Sequence, residues 1–169
     1  MAPSIAEGDR VWAWKTQTLL PGDVVLLPDP MDSASVVMRR ILAVEGQSIG
    51  IRENTIRVGK RRLRSNAMGD MGEYLVAKEV LWEKKPKVGA DWLTRIPAAS
   101  SSLWSSDAVE VPEGHVYLMA DDRGRAVDSR WWGPVPVDFI HSTVRVRWGP
   151  EHAWRTKFKW MVGTVPIGE

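Results

Sequence analysis

Met38-Arg39-Arg40-Ile41-Leu42-Ala43-Val44-Glu45-Gly46-Gln47 puts two arginines at the head of an aliphatic run that a glycine closes. With Val36 and Val37 the run reads as a strand over 36–44 that Gly46 stops. Downstream, Ile49, Ile51, Ile56, Val58 and Leu63 fall in two short alternating segments around Glu53-Asn54, with Gly59-Lys60 making the next reversal. Upstream, Pro21-Gly22-Asp23 is a turn before Val24–Leu27, which Pro28 and Pro30 end, and Arg10 to Lys15 carries Val and Trp. Further on, Val116, Leu118 and Ala120 alternate, and the polar stretch Asp121 to Arg130 follows them. Helix signals are few, so the chain is predicted to be mainly β, with strands near 10–15, 23–27, 36–44, 49–58, 115–120 and 142–148. Residues 65 to 108, interrupted by Gly69, Gly72, Pro86, Gly89, Pro97 and the run Ala98 to Ser102, read as a mixed insertion with one short helix around Tyr74 to Trp82.

The 169 residues suit one domain, expected over 1–150, with 151–169 as a Trp-rich basic tail. Hydrophobic residues at 44% and charged residues at 26% exclude wholesale disorder and fibrous classes. A net charge of +2 is too small to imply nucleic-acid binding without a local cluster. The absence of cysteine excludes disulfides, thiolate catalysis and Cys-ligated metal. Apolar runs such as Val24 to Leu27 and Ile41 to Val44 are far too short to span a bilayer, so no transmembrane segment is expected in this chain. The 10 Trp against 2 Tyr and 2 Phe suit docking surfaces and a Trp-filled core equally well.

The residues themselves offer little chemistry. His115, His141 and His152 have neither zinc-site spacing nor an adjacent nucleophile, and no metal or cofactor is expected. The loop Asp121 to Asp128 has three carboxylates, but the residue at the twelfth position of a calcium loop is Trp132. An Asp128–Arg130 ion pair that fixes the loop is the expected use.

Four stretches in fixed order resemble the signal peptidase I family of membrane-associated serine proteases. Met1-Ala2-Pro3-Ser4-Ile5-Ala6-Glu7-Gly8-Asp9 is similar to the nucleophile box from its second residue onward. Pro21-Gly22-Asp23-Val24-Val25 resembles the strand opener that follows, and Met38 to Gln47 the general-base box. Gly114 to Pro136, through Asp121-Asp122-Arg123, Asp128-Ser129-Arg130, Trp132-Gly133 and Pro134-Val135-Pro136, resembles the last box. Ala43-Val44-Glu45-Gly46, Val111 to His115 and Trp148 to Glu151 look most like the mitochondrial inner membrane peptidase branch, its second subunit in particular. The resemblance implies a signal-peptidase-type catalytic β domain.

It also implies a Ser hydroxyl attacking the scissile carbonyl while a neutral Lys takes the proton. That Ser would sit immediately before Met1, the Lys falls on Arg39, and the helper Ser that orients it falls on Ala126. Ser4 lies too far along the chain from the nucleophile position to take its place and is a poor substitute. Arg keeps its proton near neutral pH, so Arg39 can hold an oxyanion or carboxylate but cannot act as base. Arg40 matches the Arg that normally follows the Lys, which fixes the alignment. Ser4, Arg40, Asp128 and Arg130 are then scaffold residues, and no catalytic set is intact.

Outside the boxes, Arg57, Lys60, Arg61, Arg62 and Arg64 cluster in one hairpin, and Arg155, Lys157 and Lys159 recur among aromatics near the C-terminus. Both groups suit RNA phosphates or an acidic partner, and solvated faces equally. The expectation is a catalytically inactive scaffold, a structural or assembly subunit of a larger mitochondrial complex, in the matrix or associated with the inner membrane. Its expected partners are protein subunits, with ribosomal RNA as a further candidate through the mitochondrial ribosome or its assembly intermediates. The alternative is an active leader peptidase whose Ser and anchor lie upstream of Met1.

Overall fold

The computed structural model describes residues 1–52, 55–70, 72, 74–83, 88–97, 106–149 and 159–160. In chain order they form β1 (Arg10–Trp14), β2 (Val24–Asp29), β3 (Asp32–Val44), β4 (Ser48–Arg52), β5 (Thr55–Val58), β6 (Arg61–Arg62) and β7 (Arg64–Asp70). Then come β8 (Tyr74–Glu83), β9 (Val88–Pro97), β10 (Ser106–Glu110), β11 (His115–Met119), α1 (Ser129–Trp132), β12 (Val135–Pro136), β13 (Ser142–Trp148) and β14 (Lys159–Trp160). A 3-10 turn spans Val137–Phe139. The main sheet has the order β1-β13-β2-β3-β11-β12, with β14 also on β13; a second is β10-β4-β5-β6 and a third β7-β8-β9.

The six expected strands are all present. β3 runs longer than the aliphatic segment that suggests it, because residues 32–38 pair with β2 across the tight β2–β3 turn. Its C-terminal half is buried on both faces, which is why Ile41, Leu42 and Ala43 carry no polar alternation. Ile41 joins Val25, Leu27, Val116 and Leu118 in one cluster. Leu42 and Ala43 join Ile49, Ile51, Ile56, Val58, Tyr117 and Met119 in another, beneath the second sheet. Gly22, in the turn before β2, and Gly46, in the turn after β3, take φ of 97° and 74°, left-handed backbone that glycine adopts without strain.

The helix expected around Tyr74 to Trp82 is instead strand β8, and among the described residues the 65–108 insertion is all β rather than mixed. Ala77, Lys78 and Glu79 favour helix locally, but β8 pairs with β9 over ten positions, from Tyr74 opposite Pro97 to Glu83 opposite Val88. Long-range pairing that buries Ala77, Glu79, Trp92 and Thr94 outweighs weak local preferences. The ribbon is stitched to the polar stretch after β11: the Arg95 amide donates to the Asp121 carbonyl (2.8 Å) and the Arg123 amide to the Arg95 carbonyl (2.9 Å). Of the expected tail, β14 adds its backbone to β13; Arg155 and Lys157 lie outside the described residues.

Leu118, on β11, is fully buried in the core cluster with Val25, Leu27, Ile41 and Val116. Leu118→Ala is expected to lower stability by about 2–5 kcal/mol, measured by urea denaturation followed through tryptophan fluorescence.

Candidate functional site

Arg39 and Arg40 are neighbours on β3, and strand geometry sends them to opposite faces. Arg40 turns inward, 3% exposed. Its Nε and Nη2 donate to the two carboxylate oxygens of Asp121 at 2.8 and 2.6 Å, its Nη1 donates to the Gly22 carbonyl at 2.7 Å, and the guanidinium lies 4.9 Å from the Trp92 ring centroid. Arg39 turns outward. Its Nε and Nη2 both donate to the Val127 carbonyl (3.0 and 2.7 Å), and its Nη1 to the Met38 carbonyl (2.7 Å). Trp132 lies 5.5 Å beneath it.

The loop that receives Arg39 is wound around Asp128 and Arg130. Asp128, fully buried, caps α1: it accepts the Arg130 amide at 3.1 Å and the Ala120 amide at 3.0 Å. Its two oxygens also take Arg130 Nε and Nη2 at 2.8 and 2.9 Å. Arg130 then donates to the carbonyls of Arg123 (2.7 Å) and Ala126 (3.3 Å), closing the loop on itself. Ala126 thus contributes a carbonyl, and its methyl supplies no hydroxyl. The Tyr117 phenol is pushed up to about 12, first by burial and then by the Asp128 charge, so it stays neutral at ordinary pH.

The start of the chain reaches the same place. Met1 and Met38 pack against the cluster of Ile5, Val24 and Val144, and the Met1 nitrogen lies within electrostatic range of Arg39, Asp121, Asp122 and Arg95. Ser4 does not face Arg39 with a spare hydroxyl; its Oγ donates to the Leu93 carbonyl at 2.8 Å and ties the first residues to β9. The structure therefore brings Met1, Arg39, Ala126, Asp128 and Arg130 together and assigns Ser4 and Arg40 to the frame.

Sequence reasoning missed Arg95 and Tyr74, both in the insertion it could not read. Arg95 pairs with Asp122 and stacks 4.9 Å from the Tyr74 ring centroid, while Arg125 stacks on Tyr74 at 5.2 Å and donates to its hydroxyl at 2.8 Å. The basic hairpin stands on other elements: Arg57, Lys60, Arg61, Arg62 and Arg64 are all exposed, and Arg57 directly opposes Arg62. Of Lys159, only the backbone is described. Among the described residues no group of three or more His, Asp or Glu is arranged to hold a metal ion, and no helix is long and apolar enough to cross a membrane.

The signal peptidase, peptidase S26, family matches residues 1–149. Over 132 residues the chain is 30% identical to the mitochondrial ATP-independent inner membrane protease subunit 1a of Arabidopsis thaliana, covering 78% of this chain and 52% of that protein. Over 153 residues it is 25% identical to signal peptidase I of Rickettsia prowazekii, covering 86% and 56% respectively. The crystal structure of a signal peptidase I from Enterococcus faecalis superposes with a TM-score of 0.50 at 18% identity, over 76% of this chain and 98% of that one. The chain spans about half the length of these curated relatives.

Asp128→Ala would remove the buried carboxylate that takes Arg130 Nε and Nη2 and the Ala120 and Arg130 amides, and is expected to cost about 3–5 kcal/mol. Arg130→Met should cost less, since Asp128 would still accept two backbone amides. Chemical denaturation of the two variants in parallel measures the asymmetry.

Proposed function

The chain belongs to the signal peptidase, peptidase S26, family, and from that premise we propose that it is a member that holds peptide without cutting it, serving as a structural or assembly subunit of a larger mitochondrial complex. The observation that carries the reading is Arg39. It occupies the position of the family's general base, yet a guanidinium is not a proton acceptor near neutral pH. Burial lowers its affinity for the proton from the usual arginine value, and the charges of Asp128 and Asp29 work against that lowering. Three of its hydrogen bonds go to backbone carbonyls that a protonated side chain satisfies. Ala126, where the helper hydroxyl belongs, offers only a methyl. Neither point depends on what precedes Met1.

The mitochondrial placement draws on relatives named as inner membrane protease subunits in Arabidopsis thaliana and Schizosaccharomyces pombe, which favour the inner membrane over the matrix. Exposed Trp12, Trp14, Trp131 and Phe139 supply aromatic surface of the kind that anchors subunit interfaces. The same relatives support the competing reading, a leader peptidase completed by upstream sequence. A chain extended by a Ser immediately before Met1 separates the two. With Arg39 in place, it is expected neither to cleave a presequence peptide nor to be labelled by a Ser-directed penem; cleavage or labelling would overturn the non-cutting reading.

A second proposal concerns the basic hairpin. Two arginines directly opposed across a strand pair repel unless an anion lies between them, and an RNA phosphate backbone supplies one. If Arg57, Lys60, Arg62 and Arg64 each neutralise a phosphate, log affinity for single-stranded RNA should fall with log salt at a slope of about −2.8. Charge reversal at both Arg57 and Arg62 should flatten that slope, read by fluorescence anisotropy across a salt series.

A further inference from the structure

Arg123 leaves more of its guanidinium unbonded than any other buried side chain among the described residues. It is 6% exposed, and its Nη2 donates to Glu79 Oε2 at 2.5 Å. Its Nε and Nη1 are buried with no hydrogen-bond partner among the described residues. Arg keeps its charge in proteins, and a charged donor that loses water without gaining a partner is destabilising, so these two groups call for an acceptor.

The same side chain lines a cavity of about 30 Å³, where β4, β5, β8, β9 and β11 meet the loop from 121. The volume suits a few water-sized species at most and excludes an organic ligand. Arg130 stands on another part of the wall, its Nη1 donating to the Arg123 carbonyl at 2.7 Å. Ile51, Ile96 and Met119 make much of the remainder apolar. Glu79, the carboxylate on the wall, already accepts the Trp92 indole at 2.9 Å besides Arg123.

Water and a small anion both satisfy an N–H donor, and the charge around the cavity favours one of them. Two guanidiniums line it against one carboxylate, and Asp128, which pairs with Arg130, is not among the described residues of the wall. An occupant therefore meets a cationic excess at short range, where burial weakens screening. Water satisfies the donors and leaves that excess in place. A monovalent anion satisfies both, and a spherical one brings no donor or acceptor that the apolar side would leave unpaired.

The geometry points to a halide site, with a single chloride held at an unbonded N–H of Arg123 beside Arg130 and against Ile51, Ile96 and Met119. Bound there, the ion ties the loop from 121 to β4, β9 and β11, and so steadies the loop whose Val127 carbonyl receives Arg39. The site is independent of whether the chain cuts peptide.

Crystals of the chain grown with sodium bromide in place of chloride are expected to show an anomalous peak in contact with Arg123 Nε or Nη1. Water density there without an anomalous signal, or bromide at other places only, would overturn the site. In solution, thermal unfolding followed by tryptophan fluorescence is compared in chloride and in gluconate, an anion too large for the cavity, at one ionic strength. For a site half-filled at about 10 mM, replacing gluconate by about 100 mM chloride is expected to raise Tm by about 3–5 °C along a saturating curve. Equal Tm in the two salts would overturn it as well. Ile96→Phe fills the cavity from a half-buried position and keeps the Arg123–Glu79 pair, so it is expected to abolish the chloride shift. A shift of undiminished size in that variant would place the ion elsewhere and sink the proposal. The bromide map of the parent chain needs no variant to fold.

Discussion

Two charge-assisted bonds between Arg40 and Asp121 join parts of the chain 81 residues apart and almost wholly removed from water. The same guanidinium holds the Gly22 carbonyl and stacks on Trp92, so the turn before β2, strand β3, the ribbon strand β9 and the loop after β11 meet at one cation. Removing either partner would strand a buried charge, at a cost comparable to a large share of a domain's net stability. Its reach extends to its neighbour: with Arg40 committed inward, the alternation of the strand leaves Arg39 no direction but outward, toward Val127 and Trp132. The geometry at the site is thus set by a residue that does not take part in it.

The segment from Asp121 to Arg130 shows how a charged sequence can be interior. Asp121, Asp122, Arg123 and Asp128 are all buried, and each has an opposite charge: Arg40, Arg95 and Glu79 come from other elements, and Arg130 from the segment itself. Glu79 also accepts the Trp92 indole at 2.9 Å, so one carboxylate serves both the ribbon and the loop. Matching charges pairwise keeps the interior close to neutral, and against that background a half-buried guanidinium matched only by carbonyls stands out chemically.

The main sheet was legible because its strands are runs of β-branched and aliphatic residues between glycine and proline stops, a signal that needs no partner to be read. Arg39 and Ala126 are singled out by resemblance alone, since they fall within boxes of fixed order, and their roles at the site remain part of the proposal. The ribbon was not legible: Tyr74 to Glu83 carries helix-favouring Ala, Lys and Glu, and only its register against β9 makes it a strand. The loop from 121 reads only as a polar stretch, because its partners lie 27 residues away at Arg95, 44 at Glu79 and 81 at Arg40. Local pattern carries no record of such distances, so neither the burial of Arg123 nor the role of Arg95 had a sequence signature.

The register of β1 against β13, Arg10 opposite Trp148, has a consequence for how the protein is made. β1 leaves the ribosome 138 residues ahead of the strand that is its only partner among the described strands, Arg10 against Trp148, and at common elongation rates the wait is on the order of ten seconds. Through that interval Val11 and Ala13 have no sheet to pack into, and Trp12 and Trp14 are displayed on an unpaired edge. Nascent chains of this topology are therefore open to intermolecular strand pairing during synthesis, and a holding chaperone that recognises exposed aromatic strands would be needed early and released only once β13 has cleared the exit tunnel.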